Sequence, residues 1–197
     1  MEARCATVER DTKETRIKAT INLDGTGKSD IRTGIPFFDH MLSGFSKHGL
    51  FDLELVCDGD TEVDSHHTIE DCGIVLGQAV LKALGDKKGI KRYGNFFLPM
   101  DETLVLCALD LSGRPYFNYD IDFSQDKMGD MDSEMVREFF YAVSYSGMMN
   151  LHLKKFDGKN NHHIAEAAFK AFGKALCEAV RMEPRLGGEV WSTKGAL

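Results

Sequence analysis

Two short segments of this 197-residue chain open with adjacent histidines: His66-His67-Thr68-Ile69-Glu70 and His162-His163-Ile164-Ala165-Glu166. Both read HHxxE, and they stand 96 residues apart. On a helix, residues three and four apart share a face, so His66 can converge with Glu70, and His67 with the same carboxylate. Adjacent histidines diverge by about 100° around the helix axis. They are poorly placed to grip one ion together and well placed to serve two ions, or to reach across a subunit boundary. Imidazole nitrogen with carboxylate oxygen suits a borderline divalent ion such as manganese, zinc or iron. Neither motif contains cysteine, which argues against a structural zinc site, and neither has the HExxH order of zinc proteases. A single HHxxE is an ordinary exposed first helical turn; the second copy makes metal binding the better reading.

Further ligands are within the chain's means. His40, in Phe38-Asp39-His40-Met41-Leu42, takes a polar position on an otherwise apolar helix, with Asp39 either orienting it or starting the helix. His152 lies opposite the apolar face of its strand. With His66, His67, His162 and His163, these make six histidines, and Glu70 and Glu166 supply two carboxylates. That set furnishes two sites of three histidines and one glutamate, and an open position on each ion would make them catalytic rather than structural. His48, beside Lys47 and before Gly49, reads instead as a helix C-terminal residue favoured by the dipole. Arg92 and Arg114 sit at strand edges, and a guanidinium is the usual fork for phosphate or carboxylate. Ser192-Thr193-Lys194-Gly195 could add hydroxyls and an ammonium to the same anion; a plain tail is the bland reading. Glu14 is unremarkable by composition.

The elements that carry these residues follow from periodicity. Thr15 to Leu23 alternates as a half-buried strand, and after the turn Asp24–Gly27, Lys28 to Thr33 is expected to return as the second arm of a hairpin. Pro36 starts a helix with Phe37, Phe38, Met41, Leu42 and Phe45 apolar and Gly49 as its stop. Phe51, Leu53, Leu55 and Cys57 alternate in another strand. Asp64 or Ser65 caps the first HHxxE helix, which runs to Gly85. The second half repeats the order: a strand over 101–110, a turn over 111–114, a strand through Phe117, Tyr119, Ile121 and Phe123, a helix from Glu134 to about Met149 capped by Asp132 or Ser133, a short strand at Leu151 and Leu153, and a second HHxxE helix capped by Asn161. Residues 93–100 add a strand. The stripe Ile69, Cys72, Leu76, Ala79, Ala83 recurs as Ala165, Ala168, Phe172, Ala175, Ala179, and Gly77 recurs as Gly173. A repeat this long is no solenoid unit. It points to an α+β fold of two duplicated half-domains, residues 1–90 and 91–197, each a small β-sheet with two helices packed on one face. Both long helices are rich in small and apolar residues and should pack inward, bringing the HHxxE turns near each other within one chain or between chains.

Composition sets the outer bounds. The net charge of −7 disfavours nucleic acid or an anionic membrane as the main partner. No run of about 18 apolar residues exists, so no membrane span is expected, and residues 1–13 lack the apolar core of a signal peptide. The five cysteines are odd in number and show no framework. Reduced thiols in a cytoplasmic protein are the expectation.

The residues closely resemble the imidazoleglycerol-phosphate dehydratase family of histidine biosynthesis. The likeness rests on Thr12-Lys13-Glu14-Thr15, Phe38 to Leu42, His48-Gly49 with Phe51-Asp52, Asp64 through Asp71, Pro99 to Thr103, Asp110 to Tyr116, Asn161 through Leu176 and Ser192 to Gly195. It covers the chain from Arg10 to Gly195. It implies a lyase that takes D-erythro-imidazoleglycerol phosphate to imidazole acetol phosphate and water. It implies two Mn2+ per active site, held by residues matching His40, His66, His67, Glu70, His152, His162, His163 and Glu166. It implies a hollow homo-oligomer of twenty-four chains with sites between subunits. Glu14, Arg92, Arg114, Ser192, Thr193 and Lys194 fall on substrate positions, and Glu14, His66, Glu70, His162 and Glu166 on catalytic ones. Two departures concern substrate contacts: Gly44 stands where relatives often have glutamine, and Trp191 where proline is usual.

The implied chemistry is demanding, because no carbonyl makes the departing proton acidic. Electrons of the imidazole ring can expel the adjacent hydroxyl, and the diazafulvene-like species so formed loses the neighbouring proton more easily. Glu14 is the candidate acid or base. Two other classes compete. A dinuclear metallohydrolase would release free phosphate, and a metal-storage oligomer would have no use for Arg92, Arg114 or Lys194.

Overall fold

The computed structural model describes residues 3–197. Met1 and Glu2, the start of the polar N-terminal stretch, lie outside the described residues. The chain forms a mixed α/β fold of repeated sheet and helix units. In the first unit β1 (Cys5–Asp11), β2 (Thr15–Asn22), β3 (Ser29–Arg32) and β4 (Asp52–Gly59) make a four-stranded sheet, with α1 (Pro36–Gly49) and α2 (His66–Leu84). In the second, β5 (Tyr93–Met100), β6 (Thr103–Asp110), β7 (Tyr116–Asp120) and β10 (Asn150–Asp157) make another, with α3 (Met135–Ser146) and α4 (Asn161–Val180). A small hairpin, β8 (Lys127–Met128) with β9 (Met131–Asp132), precedes α3.

The two sheets have the same order, β1-β2-β4-β3 and β5-β6-β10-β7. In each, three antiparallel strands end with one parallel edge strand. Here the expected hairpin is corrected. Residues 29–32 pair in parallel with β4 instead of returning along β2. Both flanks of β2 are already taken, by β4 and by β1, a strand whose charged sequence hid its alternation. Pro99 is tolerated because β5 is an edge strand.

Each sheet buries one face by strict alternation: Ile17, Ala19 and Ile21 on β2, and Val105, Cys107 and Leu109 on β6. All four helices and these inner faces share one apolar core. The helices pair across the units, α1 against α4 and α2 against α3. Phenylalanines fill the seam. Phe139 of α3 stacks on Phe169 of α4 at 5.0 Å, and Phe38 of α1 meets both edge-on. The units match in detail. Ser46 Oγ donates to the carbonyls of Lys28 and Phe51, and Ser144 Oγ to those of Tyr116 and Met149. Just beyond each helix, Leu50 and Met148 adopt positive φ, 59° and 51°. Among the described residues, no helix is long and apolar enough to cross a membrane.

Candidate functional site

Both HHxxE segments open their helices; the cap of α2 falls where expected, and those of α4 and α3 do not. Ser65 stands at the N-cap of α2 without a side-chain bond, and Asp64 Oδ1 accepts from His66 N–H at 2.7 Å. In α4 the cap is Asn160, whose Oδ1 accepts from His162 and His163 N–H at 3.0 and 3.4 Å. Asn161 is the first helical residue, and its Oδ1 accepts from Ser124 instead. In α3 neither Asp132 nor Ser133 caps; the N-cap is Glu134.

Within each motif the two histidines diverge, their rings 6.2 Å apart and steeply inclined. The first of each pair faces the glutamate four residues on. His162 Nε2 lies 3.0 Å from Glu166 Oε2, and His66 Nε2 lies 3.6 Å from Glu70 Oε2. The second turns to carboxylates outside its helix, so His67 and His163 do not share the motif's own glutamate. His67 Nδ1 bonds Asp60 at 3.0 Å, with Glu14 3.9 Å from Nε2. His163 Nδ1 bonds Glu102 at 2.8 Å, with Asp101 3.9 Å from Nε2. These carboxylates raise the pKa of both rings, the hydrogen bond contributing most in each case. Glu102 is held well below the usual carboxylate range by the Asn160 N–H, His163 and the Lys159 N–H.

Among the described residues, one group brings three metal-ligating side chains together. His40 of α1 joins His162 and Glu166 of α4, with one donor atom from each lying within 4.8 Å of the others. His40 Nε2 is 3.7 Å from Glu166 Oε2. Asp39 does not orient His40; its Oδ1 accepts from Thr33 N–H and Oγ, anchoring the helix start. Glu166 is buried, which opposes its charge, but Lys170 Nζ at 2.6 Å from Oε1 and the two histidines outweigh burial and lower its pKa. Two imidazoles and one anionic carboxylate make a donor set that fits a borderline divalent ion. Among the described residues, no hydrogen bond, ion pair or ring contact joins His66 or His67 to His162 or His163. His152 is exposed on β10 beside Tyr116, ring centroids 5.6 Å apart.

The anion candidates also come together. Arg92, Arg114, Ser192, Thr193 and Lys194 line one depression of about 320 Å³ with Tyr93 and Trp191. Arg92 is buried rather than a solvated surface arginine. Trp191 offers its backbone carbonyl to Arg92 Nη1 at 2.9 Å, a contact that a proline there could also make. A side chain at Gly44 would start beside the Lys170 stem, its Cβ 3.7 Å from Lys170 Cγ. Glu14 lines a separate acidic depression with Asp58, Asp60 and Glu62. Burial, followed by the nearby Lys170 and Lys174, lowers the pKa of His48, and it stays outside the cluster.

Asp60, Glu102, Lys170 and Asp110 were not singled out from the sequence. Lys170 carried a readable signal, lying four residues after Glu166 on one helix. Asp60 and Glu102 lie in turns, where no periodicity marks them.

Known proteins resemble this chain in sequence and in fold. The sequence model of the imidazoleglycerol-phosphate dehydratase family matches residues 33–176. The chain is 62% identical over 194 residues to the imidazoleglycerol-phosphate dehydratase of Lachnoclostridium phytofermentans, covering 98% of each. It is 58% identical over 190 residues to that of Acetivibrio thermocellus, covering 96% of this chain and 97% of the relative. The crystal structure of imidazoleglycerol-phosphate dehydratase from Staphylococcus aureus superposes with a TM-score of 0.83 at 38% identity, over 91% of this chain and 99% of that one. The Pyrococcus furiosus enzyme, in complex with (S)-C348, gives 0.83 at 35% identity over 96% and 100%. With near-complete coverage of relatives in both sequence and fold, the chain belongs to the imidazoleglycerol-phosphate dehydratase family of enzymes.

Proposed function

We propose that this enzyme dehydrates D-erythro-imidazoleglycerol phosphate to imidazole acetol phosphate in histidine biosynthesis, with two Mn2+ per active site. The observation that carries the metal reading is the convergence of His40, from a helix 122 residues away in sequence, on His162 and Glu166. These three would hold one ion in part. His66, His67, Glu70, His152 and His163 are the remaining donors; His152 is exposed and the others half-buried, which supports completion of the sites by neighbouring subunits. The enzyme is thus read as a homo-oligomer of twenty-four chains with interfacial sites, working in the cytoplasm. The repeated units are read as duplicated half-domains divided near residue 90, each a sheet with two helices on one face.

When bound, divalent ions would supply Lewis acidity to the imidazole ring and to a substrate hydroxyl. The chain's own groups do the rest. Arg92 and Arg114 clamp the phosphate, with Ser192, Thr193 and Lys194 closing over it. Holding that end fixes the glycerol carbons relative to the histidines. Glu14 takes the proton on the carbon chain and returns one to the leaving hydroxyl, a role suited to an exposed carboxylate beside His67.

The test is turnover by protein stripped with chelator and then reloaded with Mn2+. The expected result is metal-dependent imidazole acetol phosphate without free phosphate. Phosphate release would make it a hydrolase; no product despite bound Mn2+ would sink the reading.

A further inference from the structure

The two units place a glutamate at the same point. Glu14 immediately precedes β2 and Glu102 immediately precedes β6, and each lies beside the second histidine of its unit's HHxxE motif. The two are used differently. Every oxygen of Glu102 is occupied: Oε1 accepts from Lys159 N–H at 3.2 Å, Asn160 N–H at 2.9 Å and Thr103 Oγ at 3.2 Å, and Oε2 faces His163 Nδ1 at 2.8 Å. The Glu14 carboxylate accepts no hydrogen bond among the described residues, and His67 Nε2 stands 3.9 Å away. His67 is held instead by Asp60, whose two oxygens lie 3.0 and 3.2 Å from Nδ1. Asp60 follows β4; at the matching end of β10, Asp157 turns to the backbone N–H of Gly158.

The chemistry of the contact fixes a tautomer. A carboxylate can only accept, so the ring nitrogen facing it carries the proton, and in the neutral ring the other nitrogen presents its lone pair. Both His67 and His163 therefore offer Nε2 outward as a metal donor. As ion pairs these contacts are half-exposed and contribute little to stability. Their consequence is orientation and donor identity.

We propose that Asp60 and Glu102 are the positioning residues for His67 and His163, and that Asp60, by taking this duty in the first unit, leaves Glu14 free for proton transfer. The proposal rests on the reading of His67 and His163 as metal ligands and of Glu14 as the acid or base.

Glu102→Gln separates positioning from structure. Its amide oxygen can still accept from Lys159 and Asn160, but its nitrogen donates to Nδ1 and forces the proton onto Nε2, blocking the donor atom. Asp60→Ala removes the acceptor from His67; an asparagine could still turn its oxygen to Nδ1, because both Asp60 oxygens face that atom. Mn2+ binding to chelator-stripped full-length protein is read by the electron paramagnetic resonance of free Mn2+. Both variants should bind about 10- to 100-fold more weakly than wild type, with the thermal midpoint of the metal-free protein unchanged. Wild-type affinity in both would overturn the positioning role, as would weakening matched by a lowered metal-free midpoint. Absence of Mn2+ binding by the wild type would sink the underlying metal reading instead. Asp60→Ala also tests the second half. Freed from Asp60, the His67 ring can turn its Nδ1–H toward Glu14, so kcat at saturating Mn2+ should fall at least tenfold with KM little changed. Wild-type kcat at saturating Mn2+ would overturn the division of labour.

Discussion

Asp110 grips the Arg92 guanidinium through two parallel contacts, Nε to Oδ1 at 2.6 Å and Nη2 to Oδ2 at 3.0 Å. The same group lies 4.6 Å from the Tyr93 ring centroid and donates to the Trp191 carbonyl. Arg92 takes this place at φ 65°, a strain of about 1 kcal/mol. Backbone bonds to Ala179 and Leu111 over-determine it. The cation is thus fixed before any anion arrives, which lowers the ordering cost of binding.

Arg92→Ala should raise KM for the phosphorylated substrate at least tenfold with metal content unchanged. It also leaves Asp110 without its partner, at a cost of about 3 kcal/mol. Steady-state kinetics beside elemental analysis checks this. Loss of metal in the variant would mean that Arg92 supports the histidine set rather than the anion.

Glu14→Gln should cut kcat by about 10²- to 10⁴-fold. Because the carboxylate holds nothing else in place, KM, bound metal and the thermal midpoint should stay near wild type. Near-full turnover by the variant would remove Glu14 from the chemistry.

The strands and helices that carry the histidines were legible because their apolar spacing is regular. Ile17, Ala19 and Ile21 announce β2, and the stripe from Ile69 to Ala83 announces α2. The pairing partner of β3 was not legible, since its alternation is equally compatible with returning along β2 or lying beside β4. That choice is made by β1, whose Cys5–Asp11 carries charge on its open face. The meeting of His40 with His162 and Glu166 was equally hidden. It depends on α1 packing against α4 of the other unit, a long-range contact that no local period encodes. The turn carboxylates Asp60 and Glu102 acquire meaning only once the chain brings them to the second histidines.

Gly173 lets α4 approach α1: a Cβ there would stand 2.5 Å from the Phe45 carbonyl oxygen and 3.1 Å from the Gly49 nitrogen. Gly77 does the same between α2 and α3, with the Val143 oxygen at 2.7 Å and the Gly147 nitrogen at 2.8 Å. Backbone cannot step aside as a side chain can. Each Gly→Ala change should destabilise by about 1–3 kcal/mol, lowering the thermal midpoint by roughly 2–4 °C per kcal/mol. Calorimetry of each variant reads this. Gly173→Ala should also lower activity, because it moves α4 against the helix bearing His40.

Asp24 supplies a pH-dependent contact. Arg4 meets its carboxylate through Nε at 3.0 Å and Nη2 at 2.6 Å, and this pairing, opposed by partial burial, lowers its pKa. A depressed carboxylate contributes stability above its unfolded pKa, about 3.9, and loses it as pH falls through the folded value. The pair is partly exposed, so the contribution is under about 1 kcal/mol. Arg4→Met should therefore lose stability at pH 7, and the deficit should shrink in acid to what the Arg4 Nη1 bond to the Val180 carbonyl contributes. Urea unfolding at both pH values measures the difference; an equal deficit at both would assign it to packing.

Metal should stabilise the fold by mass action, and the structure separates the two donor sets. At one hundred times its Kd, Mn2+ should add about 2.7 kcal/mol, roughly 5–10 °C in the midpoint for a chain of this length. His40 is half-exposed, so His40→Ala should leave the metal-free midpoint unchanged and remove part of this increment. Its partners His162 and Glu166 lie on the same chain, so part of that loss should persist at protein concentrations too low for assembly. His66 and His152 lie outside that cluster. Where subunits complete their site, the increment lost in His66→Ala or His152→Ala should grow with protein concentration as chains assemble. Differential scanning calorimetry across a dilution series, with and without Mn2+, reads both effects. A His66→Ala deficit that ignores concentration would place the second site within one chain and remove the metal-based argument for interfacial assembly.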